Sequence, residues 1–258
     1  MKYALITGAN SGIGKEFAKL FHEKKYHLVL VGRNIQELEK VQNELKNKKL
    51  KIKIIIQDLK DSNAAEKIYK ITKKDKIFIE VLVNNAGFGD FGPFESADLK
   101  KITDMLQVNI VALTQLTHFY LKDMVGFKTG KILNVSSVAA FLPGPLMAAY
   151  YASKAYVLHF SEAIAEELSD KGIVVSALCP GATKSNFQET AKMTHSKIVT
   201  SGGGMATSRE VAEFGYKELM KGSVVAIHGL KNKLMILPAR LMPRGIIAKT
   251  VKKVQEEK

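Results

Sequence analysis

The stretch Thr7-Gly8-Ala9-Asn10-Ser11-Gly12-Ile13-Gly14 decides how this chain is read. It follows an apolar run, Tyr3–Thr7, and opens a segment in which Ile13, Phe17, Leu20 and Phe21 recur at helical spacing. Strand, glycine turn and helix in succession make a place for a pyrophosphate. Glycine permits the tight turn, and the N–H groups and dipole of the helix N-terminus attract an anion. Ser11 adds a hydroxyl donor. A GxxxGxG spacing alone is a weak signal, and its position between strand and helix gives it weight.

Working outward, further apolar runs lie at residues 27–31, 51–57, 81–84, 131–135, 174–178 and 224–227. Several are apolar on both faces, as strands buried in a parallel sheet are. Helical periodicity fills segments between them, at 13–25, 35–45, 99–125 and 152–168. Thr207-Ser208-Arg209-Glu210 reads as a capping box opening a helix to about Lys221. This alternation predicts an α/β fold, a doubly wound, Rossmann-type domain with a mostly seven-stranded parallel sheet flanked by helices. No linker divides residues 1–258, so one domain is expected. The least regular stretch, 183–207, contains Gly202-Gly203-Gly204 and reads as a flexible substrate lid or a disordered span.

The chain has 258 residues, 46% of them hydrophobic, enough for a core without a disulfide or metal staple. Its one cysteine, Cys179, excludes an intrachain disulfide framework and a four-cysteine zinc site, and reads as a buried thiol. The six histidines form no metal pattern; His22 and His27 are five apart, and no metal is expected. The absence of a signal-like N-terminus and of a long apolar span leads us to expect a reducing, cytoplasmic setting. The net charge of +14 suits either an anionic partner or a Lys-rich solvated surface. No basic stripe interleaves with stacking aromatics, so nucleic acid is not an expected partner.

The second strand ends Leu30-Val31-Gly32-Arg33-Asn34. An acid at that place would bind the 2′-hydroxyl of NAD. Here glycine replaces it and Arg33 offers a forked donor for a 2′-phosphate, which favours NADP(H) over NAD(H). A plain surface arginine is the alternative. Farther on, Asn84-Asn85-Ala86-Gly87 and Ser136-Ser137 follow the fourth and fifth strands, and Tyr150-Tyr151-Ala152-Ser153-Lys154 lies on a helix. Tyr150 and Lys154, four apart, share one face. An ammonium there would lower the phenol's pKa and suit Tyr150 to proton exchange with a substrate hydroxyl or carbonyl. The alternative is a packed tyrosine beside a solvated lysine.

With these motifs in this order, the sequence resembles the short-chain dehydrogenase/reductase family. The likeness runs through Thr7–Gly14, Asp58-Leu59, Asn84–Gly87, Asn109, Ser137, Tyr150 and Lys154, and Pro180-Gly181. It implies Tyr150 as general acid/base, Lys154 lowering its pKa and binding the nicotinamide ribose, and Ser137 orienting the substrate oxygen. It implies that Asn109 holds a water in a relay to Lys154. For the cofactor it implies a cradle of Gly8, Ser11, Gly12, Ile13 and Gly14. Asp58 and Leu59 would border the adenine, Asn85, Ala86 and Gly87 would flank the dinucleotide, and Pro180, Gly181 and Thr183 would lie by the nicotinamide. The family often has threonine where Ser185 stands; the hydroxyl survives. Of the adjacent pairs, family spacing selects Ser137 over Ser136, and the lysine at +4 selects Tyr150 over Tyr151.

The resemblance thus implies an NADP(H)-dependent enzyme interconverting a carbonyl and a secondary alcohol, and a homodimer or homotetramer formed through the helices of Asn109 and Tyr150. Phe88, Phe91, Phe94, Phe141, Leu142, Leu146, Met147, Phe187 and Met193 in loops after strands suggest an apolar or lipid-like substrate, although loop aromatics can equally be core. A cofactor-binding scaffold with little turnover is the alternative. Residues 231–258 form a basic amphipathic extension with eight Lys/Arg and two Asp/Glu. It can meet an anionic membrane peripherally, pack on the domain or pack on a partner subunit.

Overall fold

Residue alternation builds the sheet. In the computed structural model, which describes residues 1–46, 49–185, 187–191, 205–239 and 242–256, strand β1 is Tyr3–Thr7. Its Tyr3 and Leu5 point into one apolar layer, and Ala4 and Ile6 into the other. Strand β2 (His27–Gly32) divides in the same way, Val29 and Val31 against Leu28 and Leu30. With β3 (Ile52–Ile56), β4 (Ile79–Asn84), β5 (Gly130–Val135), β6 (Ile173–Cys179) and a short last strand, Val225–Ile227, they form a seven-stranded sheet. Every pairing is parallel, in the order β3-β2-β1-β4-β5-β6 and then Val225–Ile227. The predicted architecture is the observed one.

Helices cover both faces. On one side α1 (Gly12–Glu23) and α2 (Ile35–Glu44) contribute Phe17, Phe21, Leu38 and Val41. On the other, α3 (Ala64–Lys74) contributes Ile68. That helix occupies a stretch for which no element is predicted: its buried positions are Ala64, Ala65, Ile68 and Thr72, mostly small or polar. The predicted helix 99–125 is helical from α4 (Leu99–Leu106) to α5 (Leu113–Phe127), but a π-helical segment, Gln107–Ala112, separates the two. Then α6 (Ala148–Glu167) starts four residues earlier than the predicted 152.

The expected lid is pinned at both ends. Two-residue strands β7 (Thr183–Lys184) and β8 (Ala206–Thr207) pair in parallel, and α7 (Phe187–Thr190) follows the first. The Gly202-Gly203-Gly204 run and Met193 lie outside the described residues. The capping box is present: Thr207 Oγ1 accepts the Glu210 N–H at 3.2 Å, and Glu210 Oε2 accepts the Thr207 N–H at 2.7 Å. It opens α8 (Ser208–Lys221), whose Arg209 forks onto Glu23 of α1. With the last sheet strand numbered β9, helices α9 (Leu230–Ala239) and α10 (Arg244–Gln255) complete the chain.

Candidate active site

The strand order reverses between β1 and β4, so their carboxyl ends part and leave a crevice. A cleft of about 750 Å³ opens there, running from Gly8 and Gly12 to Ser137, Tyr150 and Thr183. Gly8 and Gly12 have φ of +63° and +53°. A Cβ on Gly14 would stand 2.2 Å from the Gly8 carbonyl oxygen, so only glycine fits. The first turn of α1 carries no acid, and Ser11 makes no capping bond with its side chain. The helix N-terminus is therefore free to receive an anion.

Thr7 secures this turn, a role the sequence reading did not give it. Its hydroxyl accepts the N–H groups of Asn85 and Ala86, both at 3.0 Å, while Asn85 Nδ2 donates to the Thr7 and Gly8 carbonyls at 2.9 and 3.3 Å. The loops after β1 and β4 are thus stitched together. Arg33 is exposed at the cleft edge beside Gly32, with no ion pair among the described residues. Asp58 lines the cleft and its carboxylate accepts the Lys60 N–H at 3.0 Å. Leu59 is packed in the core behind that edge.

The two ambiguous pairs separate clearly. Ser136 is buried and its hydroxyl donates to the Lys154 carbonyl at 2.8 Å. Ser137 lines the cleft; its hydroxyl donates to the Pro180 carbonyl at 3.4 Å and its oxygen accepts the Ala139 N–H at 3.1 Å. Tyr150, nearly buried, stacks obliquely on Phe187 with ring centres 5.3 Å apart. Tyr151 turns its ring against Gly144, where a Cβ would lie 2.2 Å away, and its hydroxyl accepts Gln255 Nε2 at 2.6 Å. Gln255 comes from α10, 104 residues on, and no local signal announces it.

The electrostatics depart from the expected phenol activation. Lys154 is buried, and its ammonium donates to the Val135 carbonyl at 2.8 Å, 5.8 Å from the centre of the Tyr150 ring. Burial lowers its pKa to about 8 from 10.5. Burial also raises the Tyr150 phenol above its ordinary 10, with the neighbouring Ser137 hydroxyl acting in the opposite direction. Cys179 is a buried thiol, as predicted, with burial raising its pKa to about 12.

Asn109 lies in the π-helical segment, with its carboxamide engaged: Oδ1 accepts the Phe88 N–H, and Nδ2 donates to the Phe88 carbonyl and Ser153 Oγ, at 3.0–3.1 Å. Its side chain stands behind Gly87, where a Cβ would lie 2.9 Å from Oδ1 and 3.4 Å from Lys154 Nζ. The carboxamide thus holds the loop after β4. On the far wall, Pro180 accepts the Val138 N–H, and Gly181 leaves room for Asn232 of α9, 2.5 Å from where its Cβ would be. The Thr183 hydroxyl donates to Gly181 and its carbonyl accepts Gln188 Nε2 at 2.7 Å. Ser185 stands 3.4 Å from where a Gly12 Cβ would be, closing the loop over the glycine turn. Phe88, Phe91, Met147 and Phe187 pack around Tyr150; Phe94 is exposed, and Phe141 packs in a separate cluster.

The residues fit a dinucleotide: a glycine turn with room for backbone contact, an acid-free helix N-terminus, and a cleft long enough to reach Tyr150. Comparison with known proteins agrees. The sequence profile described as short chain dehydrogenase matches residues 2–196. A very-long-chain 3-oxoacyl-CoA reductase of Phaeosphaeria nodorum is 28% identical over 99% of this chain and 80% of its own length. The human inactive hydroxysteroid dehydrogenase-like protein 1 is 34% identical over 69% of this chain and 55% of its own. A short-chain dehydrogenase from Sphingobium yanoikuyae, solved in complex with NADPH, superposes with a TM-score of 0.82 at 29% identity, covering 93% of this chain and 94% of that one.

Proposed function

The chain belongs to the short-chain dehydrogenase family, and from that premise we propose that it is an NADP(H)-dependent oxidoreductase interconverting a ketone and a secondary alcohol on a substrate with a long aliphatic chain. One observation carries this reading: Ser137 and Tyr150 line the same cleft as the glycine cradle, with apolar side chains packed around Tyr150. Gly8, Ser11, Gly12, Ile13 and Gly14 would hold the pyrophosphate, Arg33 the 2′-phosphate, and Asn85–Gly87 with Pro180–Thr183 the rest of the dinucleotide. When bound, its nicotinamide supplies or takes the hydride.

Ser137 holds the substrate oxygen and Tyr150 exchanges a proton with it. Burial keeps the phenol un-ionised, which suits it to donate that proton in the direction of reduction. Lys154, held by the Val135 carbonyl, would serve the ribose. The name of the fungal relative supports a 3-oxoacyl thioester of coenzyme A as substrate class, and Phe88, Met147, Tyr151 and Phe187 supply the apolar wall such a chain needs. Leu99, Val111 and Tyr156, exposed on the helices of Asn109 and Tyr150, support pairing of subunits there.

A scaffold with little turnover is the second reading, favoured by the word "inactive" in the human relative's name. Turnover with NADPH and a panel of 3-oxoacyl-CoA thioesters and bulky ketones decides between them. The first reading expects NADPH oxidation, lost by at least about a hundredfold in Tyr150→Phe with NADPH binding retained. NADPH binding without oxidation of any panel member favours the scaffold.

A further inference from the structure

The two C-terminal helices expose a surface that the catalytic reading does not use. On α9, Leu230, Leu234 and Leu237 recur at i, i+4 and i+7 and are 72%, 60% and 63% exposed, while Ile236 is buried. On α10 the inward stripe is Ile247, Val251 and Gln255, and Ile246, Lys249 and Lys253 face outward. Residues 231–255 hold seven Lys/Arg and no Asp/Glu. Elsewhere lysines such as Lys15, Lys53, Lys60 and Lys73 pair with carboxylates. Lys231, Lys233, Arg244, Lys249, Lys252 and Lys253 make no ion pair among the described residues.

We propose that α9 and α10 dock this protein peripherally on a membrane surface rich in anionic phospholipid. Exposed leucines beside unneutralised cations match the two properties of such a surface, an apolar boundary below and negative head groups above. A second copy of this chain is a poor occupant, because a two-fold contact would bring the same all-basic segment against itself. The helices, of 10 and 12 residues, lie on the bilayer and do not span it, and no described helix is long and apolar enough to cross a membrane. Docking would place the lipid surface next to the cleft, since α10 ends on Tyr151 through Gln255. The inference stands whatever the substrate proves to be.

Co-sedimentation of the full chain with vesicles tests this. It should pellet with phosphatidylcholine vesicles containing phosphatidylserine, much less with phosphatidylcholine alone, and lose binding as salt rises. Reversing Lys249→Glu and Lys253→Glu should weaken binding at least about tenfold. Leu234→Ser with Leu237→Ser should weaken it on an independent helix. All four positions are exposed, so unchanged unfolding curves are expected to accompany both variants. Equal pelleting with both vesicle types, no pelleting, or full binding by both variants would overturn the proposal. So would sedimentation velocity showing a dimer that the leucine variant dissociates.

Discussion

The carboxamide of Gln255 donates to the Tyr151 hydroxyl at 2.6 Å, tying the last turn of α10 to the residue next to Tyr150. Gln255 is fully buried, and its Oε1 has no hydrogen-bond partner among the described residues. The bond holds the Tyr151 ring against Gly144 at the cleft wall.

Removing one partner should cost more than removing both. Gln255→Leu or Tyr151→Phe alone leaves the other side chain unpaired and is expected to destabilise by about 1–3 kcal/mol. Gln255→Leu combined with Tyr151→Phe removes both polar groups and should fall closer to the wild type than the single changes sum to. Urea unfolding of the four proteins checks this; strictly additive losses would show that the two side chains do not interact.

Lys154 predicts a pH-dependent stability in the protein without nucleotide. Its pKa is about 8 in the folded state against 10.5 in the free side chain. Below pH 8 both states are protonated, and the folded state bears the full cost of a buried ammonium, about 3 kcal/mol. Between pH 8 and 10.5 the folded state has lost the proton and the unfolded state retains it, so this group's contribution to stability rises with pH. Lys154→Met should be more stable than wild type at pH 7, and its advantage should shrink as pH rises from 8 to 10. A difference that stayed constant across that range would mean that Lys154 titrates normally.

Arg33 predicts cofactor choice. Its exposed guanidinium has no carboxylate partner among the described residues and adjoins Gly32 at the cleft edge. A charge-assisted pair with a 2′-phosphate contributes about 1.5–3 kcal/mol. Arg33→Ala should therefore raise the KM for NADPH by ten- to a hundredfold, roughly, while the KM for NADH changes little. Equal shifts for the two cofactors would remove Arg33 from phosphate recognition.

Much of the fold is written in local alternation. The seven strands follow from apolar runs that serve two faces at once, as Leu5 and Ile6 do. The glycine turn and the pairing of Tyr150 with Lys154 are equally local. What escapes the sequence is whatever depends on partners far along the chain. Asn84 donates to Asn134 and Thr117, and Asn134 donates to Ser161, at 2.9–3.0 Å, a buried polar chain across two strands and two helices. Each member alone reads as an ordinary polar residue. Lys154 was legible as a motif member, but its neutral tendency comes from burial, which spacing does not disclose. Helix α3 escaped because small side chains face the core.

The π-helical segment at Gln107–Ala112 makes chain length itself a packing variable. Such a turn carries one residue more than an α-turn. Deleting a residue there would let the segment relax to regular helix in nearly the same phase, whereas deleting Thr114 from α5, which stores no extra residue, would rotate everything beyond by about 100°. Leu116, Tyr120 and Met124 would then leave the core they now fill. A one-residue deletion is thus expected to be tolerated within this segment and not in the helix that follows it.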